Sequence, residues 1–121
     1  MLTLTNVFYK VKNNTDIFGM FMNKEKNKML YQAISDYGKY TDNQNKVLCF
    51  LVEHAVDNLI YPAVKKISEQ TGVVKSTVYA ALNALQLDGI VEQTTNQKGI
   101  LKINEDKINF IIRSYQQNKI E

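Results

Sequence analysis

The segment from Tyr61 to Lys102 constrains the fold most, because helical and strand-like patterns alternate in it with glycine-containing turns. Apolar residues recur at helical spacing from Pro62 to Gln70. Thr71-Gly72-Val73 then turns the chain, since glycine readily adopts the left-handed conformation that ends a helix. A second helix follows, and its apolar stripe consists of Val78, Ala81, Leu82 and Leu85. These patterns predict two helices joined by a short turn, with the second helix buried on one side only.

A predicted hairpin follows the second helix. Asp88-Gly89 ends the helix, and Ile90-Val91 begins a strand. After a turn over Thr95–Gly99, Ile100–Ile103 returns as the second strand. A helix-turn-helix closed by such a hairpin, or wing, is a winged helix. We therefore predict a mainly α-helical fold with a small β-wing, whose winged-helix core covers residues 26–103.

Two more helices are predicted before this motif. One runs from about Lys26 to Tyr37 and ends at Gly38. The other covers Asn43 to Leu59, with Asp42 as its N-terminal cap, and should pack across the back of the two-helix motif.

The N-terminal segment, residues 1–25, mixes β-branched and aromatic residues. Leu2–Val11 is predicted to be a strand, and Ile17–Met22 a returning strand that pairs with it. The alternative is an arm that becomes ordered in a dimer. Three lysines between Asn23 and Lys28 suit either a solvated helix start or contact with phosphates.

The C-terminal segment, residues 104–121, predicts a helix that ends near Asn118. Asn104 can cap it, and Glu105 and Asp106 place negative charge where the helix dipole favours it. The apolar side of this helix must be buried, either on its own domain or, at least as readily, against a second copy. The residues expected at a homodimer interface are Ile108, Ile111, Ile112 and Tyr115.

Composition limits the chemistry that this chain can perform. With 121 residues it has the length of a single domain, and its net charge of +3 permits nucleic-acid binding without requiring it. Its single cysteine, Cys49, and single histidine, His54, have no evident catalytic partner. We therefore expect no enzymatic activity, metal or cofactor. The single cysteine and the lack of a signal peptide or long apolar run predict a cytoplasmic protein without a membrane segment.

The outward side of the second motif helix carries small, hydrogen-bonding or cationic residues, as expected of a helix that enters the DNA major groove. Asn83 can read adenine through two hydrogen bonds, and Ala80 or the Thr77 methyl group can contact a thymine methyl, so an A·T-leaning site is expected. Two of the candidates have a purely structural alternative. Tyr79 would then only cover the edge of the core, and Lys66 would only be a solvent-exposed surface residue. The candidate DNA-contact residues are Lys65, Lys66, Lys75, Ser76, Thr77, Tyr79, Ala80, Asn83, Asn96, Gln97 and Lys98.

The segment TGVVKSTVYAALNALQLDGIVEQ resembles winged helix-turn-helix domains of bacterial regulators and plasmid proteins, which commonly read TGVSxxTVxxALxxLxxxGIV. It departs from them at Val74, where a serine usually caps the second helix, so Lys75 or Ser76 would have to take over that cap. Over residues Phe21 to Ile108, the order of parts resembles the small plasmid replication proteins of the RepL type. KVLCFLVEHAVDNLI precedes the motif, and the wing leads into GILKINEDKI.

This wider resemblance implies a replication initiator that binds double-stranded DNA at the plasmid's own origin. More broadly, it suggests a role in plasmid or phage replication initiation or maintenance. The alternatives are a transcriptional repressor that binds its own operator, a partition adaptor that binds a plasmid centromere, and a winged helix that binds proteins instead of DNA. A second copy of the chain is an expected partner, and host replication or partition proteins are further candidates.

Overall fold

The computed structural model of the chain describes residues 28–120. The predicted N-terminal hairpin or arm lies outside the described residues, and so does the lysine-rich stretch before residue 28.

Five helices and three short strands make up the described part of the chain. The helices are α1 (residues 28–37), α2 (Asp42–His54), α3 (Val64–Thr71), α4 (Lys75–Asp88) and α5 (Glu105–Ile120). The strands β1 (Leu59–Ile60), β2 (Val91–Gln93) and β3 (Leu101–Ile103) form an antiparallel sheet in the order β1-β3-β2. The predicted mainly α-helical fold with a small β-sheet is therefore confirmed.

The core lies where α2 packs across α3 and α4, with the sheet and α5 closing its edges. The predicted apolar stripe of α4 is confirmed, since all four of its residues are buried. Leu48, Leu51 and Ile67 face them from α2 and α3 and are fully buried. Each such side chain contributes roughly 1.5–3 kcal/mol through removal from water.

Helix α2 is shorter than predicted. It was expected to reach Leu59, but it ends at His54, and Ala55 is already extended. Asp57 and Asn58 then adopt positive φ angles of 53° and 65°, which turns the chain into β1. There Leu59 lies opposite Lys102 of β3. Leu59 therefore belongs to a strand and not to α2, because pairing with β3 satisfies its backbone groups.

The cap of α2 also differs from the prediction by one residue. Thr41, and not Asp42, is the N-cap, and its side chain accepts a hydrogen bond from the Gln44 amide at 3.1 Å. The Gln44 side chain accepts one in return from the Thr41 amide, also at 3.1 Å. This reciprocal pair is a capping box, and it leaves Asp42 in the first turn of the helix.

The C-terminal helix begins as predicted, since the Asn104 side chain accepts a hydrogen bond from the Lys107 amide at 3.2 Å. Its apolar side is buried in the chain itself. Ile108 and Ile111 are only 6% and 3% exposed and belong to the core, so their expected place in a dimer interface is wrong. Ile112 and Tyr115 pack partly buried against the same core. The core of a single copy therefore includes this helix together with residues of α1 and the sheet.

Candidate nucleic-acid interface

The turn between α3 and α4 has a defined geometry. Gly72 has a φ of +77°, and its amide donates to the Ser68 carbonyl at 3.0 Å. The Thr71 hydroxyl donates to the Ile67 carbonyl at 2.6 Å and accepts from the Val73 amide at 3.2 Å. Val73 is buried. These contacts fix α4 relative to α3 and thereby determine which side of α4 faces outward.

The start of α4 differs from the expected capped start. Helix α4 begins at Lys75. Helix α3 before it begins at Val64, two residues after the predicted start at Pro62. Val74 occupies the N-cap position of α4, and no side chain accepts a hydrogen bond there, so neither Lys75 nor Ser76 takes over the cap. The first amides of α4 are therefore not satisfied by a side-chain cap and point out of the helix end.

The outward side of α4 carries the predicted candidates. Ser76, Ala80 and Asn83 follow one another at i, i+4 and i+7 and are exposed, as are Lys75 and Tyr79 beside them. Thr77 is half-buried at the edge of this surface. We call the exposed surface formed by Lys75, Ser76, Tyr79, Ala80 and Asn83 the α4 face.

Sequence reasoning missed a residue that continues this surface. Leu87 lies one turn beyond Asn83 and is 82% exposed, the most exposed of the large apolar side chains in the described part of the chain. The signal was available, because continuing the spacing of Ser76, Ala80 and Asn83 by four residues reaches Leu87. An apolar side chain at this position can contact base methyl groups but cannot bind phosphate.

Four candidate lysines lie on the α4 face or on the adjoining elements. Lys65 and Lys66 are exposed on α3, Lys75 lies at the start of α4, and Lys98 lies in the turn between β2 and β3. Within residues 28–120, no ion pair involves any of them, whereas Lys46 pairs with Asp42 at 3.3 Å. Their charges are therefore not neutralised by a neighbouring carboxylate.

The β2–β3 hairpin is held firmly at its turn. The Thr94 hydroxyl donates to the Gln97 carbonyl at 2.7 Å, and the Thr94 amide donates to the Ile100 carbonyl at 3.1 Å. Gly99 has a φ of +81°, and a Cβ placed on it would lie 3.5 Å from the Tyr61 ring. Asn96, Gln97 and Lys98 are exposed at the tip, as the sequence predicted.

One hydrogen bond joins the hairpin to α4. The Gln93 side-chain amide on β2 donates to the Gln86 side-chain oxygen on α4 at 3.0 Å. In the described part of the chain, no hydrogen bond or ion pair joins the hairpin tip, or the two α3 lysines, to the α4 face. The candidates therefore lie in three exposed groups, on α3, on α4 and at the hairpin tip. Tyr61, exposed beside Gly99, is a second residue at this surface that sequence reasoning missed.

Cys49 and His54 lie away from these groups, on α2. The Cys49 thiol contacts the Asn45 side-chain oxygen at 3.2 Å, and burial, with a smaller effect of Glu53, raises the pKa of the thiol to about 12. The thiolate that would act as a nucleophile is therefore scarce at neutral pH. His54 stacks on Phe50, with ring centroids 4.1 Å apart. Among the described residues, no three His, Cys, Asp or Glu side chains are arranged to hold a metal ion.

No family model, curated protein or solved structure matches this chain. Within residues 28–120, no helix combines the length and apolar character needed to cross a membrane. What the chain binds must therefore be inferred from the α4 face, the hairpin and the charges around them.

Proposed function

We propose that the chain is a winged helix-turn-helix protein that binds double-stranded DNA sequence-specifically, with α4 in the major groove and the β2–β3 hairpin as the wing. The observation that carries the proposal is the two-sided character of α4. One side is fully buried, and the other exposes small and hydrogen-bonding side chains immediately before an antiparallel hairpin. A major groove accepts one such helix, and the first turns of that helix reach the base edges.

The uncapped start of α4 supports a phosphate contact. Its first amides have no side-chain acceptor, because Val74 cannot provide one. A DNA phosphate oxygen can accept hydrogen bonds from these amides, and the positive end of the helix dipole favours its charge. Lys75 and Ser76 lie beside this position and are exposed. In the proposal they position α4 on the backbone and carry no sequence information themselves.

Base recognition is assigned to the middle of the α4 face. Asn83 is exposed and, among the described residues, its side chain has no hydrogen-bond partner, so its amide oxygen and its amide NH2 are both available to adenine. Ala80 and the Thr77 methyl group suit thymine methyl groups, and Leu87 extends the apolar contact by one turn. An A·T-leaning site is therefore proposed.

The remaining lysines would contact the DNA backbone on either side. Lys98, with Asn96 and Gln97, would lie over the neighbouring backbone or minor groove, while Lys65 and Lys66 would bind the backbone on the α3 side. The biological process is proposed from the resemblance to RepL-type plasmid replication proteins, which favours replication initiation or maintenance of a plasmid or phage. Footprinting on DNA from the gene's own neighbourhood would distinguish an origin from an operator or a centromere.

The proposal is tested by fluorescence anisotropy on labelled duplexes over a salt series. One duplex carries DNA from the gene's neighbourhood, or a site selected from a random library, and the other a scrambled sequence. We expect the specific duplex to bind orders of magnitude more tightly at physiological salt. Equal affinities that fall together as salt rises would indicate phosphate attraction alone and would overturn sequence-specific binding.

Replacing Asn83 by alanine tests the assigned reading residue. We expect Asn83→Ala to lose about 1–3 kcal/mol of discrimination for the preferred base while binding to scrambled DNA changes little. Asn118→Ala is the matched control, because Asn118 is also an exposed helical asparagine but lies on α5. If Asn83→Ala weakens binding to both duplexes equally, Asn83 does not read a base.

A further inference from the structure

The outward side of α5 carries a regular stripe that the DNA proposal does not use. Asp106, Phe110, Arg113 and Gln117 are all exposed and follow one another at i, i+4, i+7 and i+11. They lie opposite the buried Ile108 and Ile111. Alternating steps of four and three residues are the spacing at which two helices meet along a common seam. We call these four residues the α5 stripe.

Phe110 exposes an apolar aromatic ring on this stripe, and contact of that ring with water is unfavourable. Its side chain is 59% exposed, and its ring meets Tyr37 of α1 edge to face, with centroids 6.5 Å apart. Tyr37 is itself exposed and lies 6.5 Å from the ring of Tyr40. These three aromatic rings border a hollow of about 470 Å³ beside the stripe. An exposed aromatic residue next to a hollow of this kind is typical of the centre of a protein interface.

The two charges of the stripe have no partner within the described part of the chain. Asp106 and Arg113 are exposed and take part in none of its ion pairs. The other cations near the hollow are already engaged with Asp88. Lys39 forms an ion pair with its carboxylate, and the Lys107 ammonium donates to its carbonyl at 2.8 Å. Arg113, the single arginine of the chain, therefore remains without an ion-pair partner among the described residues.

The positions of these charges select one way of pairing two helices. Asp106 and Arg113 lie on either side of Phe110, four residues before it and three after it. At about 1.5 Å per residue, the midpoint between them lies within about 1 Å of Phe110 along the axis. A two-fold axis at that point, crossing α5 at right angles, would bring the two Phe110 rings together. Each Asp106 would then face the other copy's Arg113. A parallel pair would instead place like charges opposite each other.

We propose that α5 of one copy packs antiparallel against α5 of a second copy. Phe110 lies at the centre against the partner's Phe110 and the hollow beside Tyr37, and two reciprocal Asp106–Arg113 ion pairs flank it. Such an interface is isologous, so two copies close it without forming longer assemblies. This surface replaces the core residues Ile108 and Ile111 as the site of self-association. The inference does not depend on DNA binding, because the association is measured without DNA.

The test is sedimentation equilibrium of the full chain over a wide concentration range, with charge-reversal variants. We expect a monomer–dimer equilibrium. Asp106→Arg and Arg113→Asp should each raise its dissociation constant by at least about tenfold, because each places like charges opposite each other at both ends of the interface. The double variant Asp106→Arg/Arg113→Asp should restore association to within about threefold of the original chain, since the ion pairs are then reversed and not lost.

Glu53→Arg is the control for net charge, because Glu53 is an exposed acid on α2 that lies outside the stripe. It should leave the dissociation constant unchanged. A monomer at every concentration would overturn the proposal, and so would a double variant that associates no better than the single ones. Equal weakening by Glu53→Arg would also overturn it, because general repulsion and not the Asp106–Arg113 pair would then control association. Circular dichroism of each variant shows whether α5 is retained.

Discussion

Leu85 and Leu87 lie two residues apart on α4 but have opposite surroundings. Leu85 is 0% exposed in the core, whereas Leu87 is 82% exposed on the outward side. Replacing each by alanine removes the same atoms from the same helix. The difference between the two variants therefore measures burial, with helix propensity and chemistry held constant.

The expected magnitudes differ widely. Leu85→Ala leaves a cavity in a closely packed core and should lower the free energy of unfolding by about 2–5 kcal/mol. That is a large share of the roughly 5–15 kcal/mol that stabilises an ordinary domain. Leu87→Ala removes atoms that are already in contact with water, and alanine favours helix at least as well as leucine. Its effect should stay within about 0.5 kcal/mol.

Urea unfolding followed by far-ultraviolet circular dichroism measures both changes. Leu85→Ala should shift the midpoint to lower urea with an unchanged slope, and Leu87→Ala should unfold at the original midpoint. Equal losses in the two variants, or a larger loss for Leu87→Ala, would refute the assigned burial of α4. The α4 face would then not be the outward side of the helix, and the proposed DNA contacts would lose their basis.

Two further predictions concern the contacts around α2 and the end of α4. Burial alone would raise the pKa of Asp88, but hydrogen bonds from Lys39 and Tyr40 outweigh it and hold this pKa below its ordinary value of 3.8. The folded state therefore gains stability from the ionised carboxylate above that value and loses it as pH falls through the lowered pKa. Asp88→Asn should cost about 1–2 kcal/mol near neutral pH, and the cost should shrink in strong acid. Urea titrations at several pH values check this, and a cost independent of pH would contradict it. Thr41→Ala, which breaks the capping box with Gln44, should lower the free energy of unfolding by about 1 kcal/mol, whereas Thr41→Ser should cost less. Equal losses in these two variants would show that the hydroxyl cap is not the cause.

The sequence predicted the two-helix motif best, because its signals are local. The apolar stripe of α4 repeats at helical spacing, and Gly72 and Gly89 mark the two helix ends with positive φ angles of 77° and 85°. No distant contact is needed to interpret either signal. The exposure of Asn83 follows from the same spacing, since a helix that buries one stripe must expose the opposite one.

Tertiary contacts determined what the sequence did not. Leu59 continues the apolar pattern of α2, but it belongs to β1 because β3 offers it a strand partner. Ile108 and Ile111 could have served a core or a dimer, and the pattern within α5 is the same in both cases. They are buried in a core to which residues of α1, α2 and the sheet also belong, and this depends on the packing of several elements.

The charge on the proposed DNA-facing side connects the two proposals. In the DNA proposal, one copy uses the exposed lysines Lys65, Lys66, Lys75 and Lys98 for phosphate contact. Four contacts correspond to a slope of roughly −3.6 in log affinity against log salt, at about −0.9 per contact. Raising salt fourfold would then weaken one copy's binding by roughly 150-fold. In the proposal, that copy has one asparagine, Asn83, as its main base-reading residue. Two copies joined through the α5 stripe would double both the phosphate contacts and the base contacts, and the slope would approach roughly −7. In the proposal, the doubled base contacts would therefore maintain binding to one site at physiological salt, because the doubled phosphate contacts also make the affinity fall more steeply as salt rises.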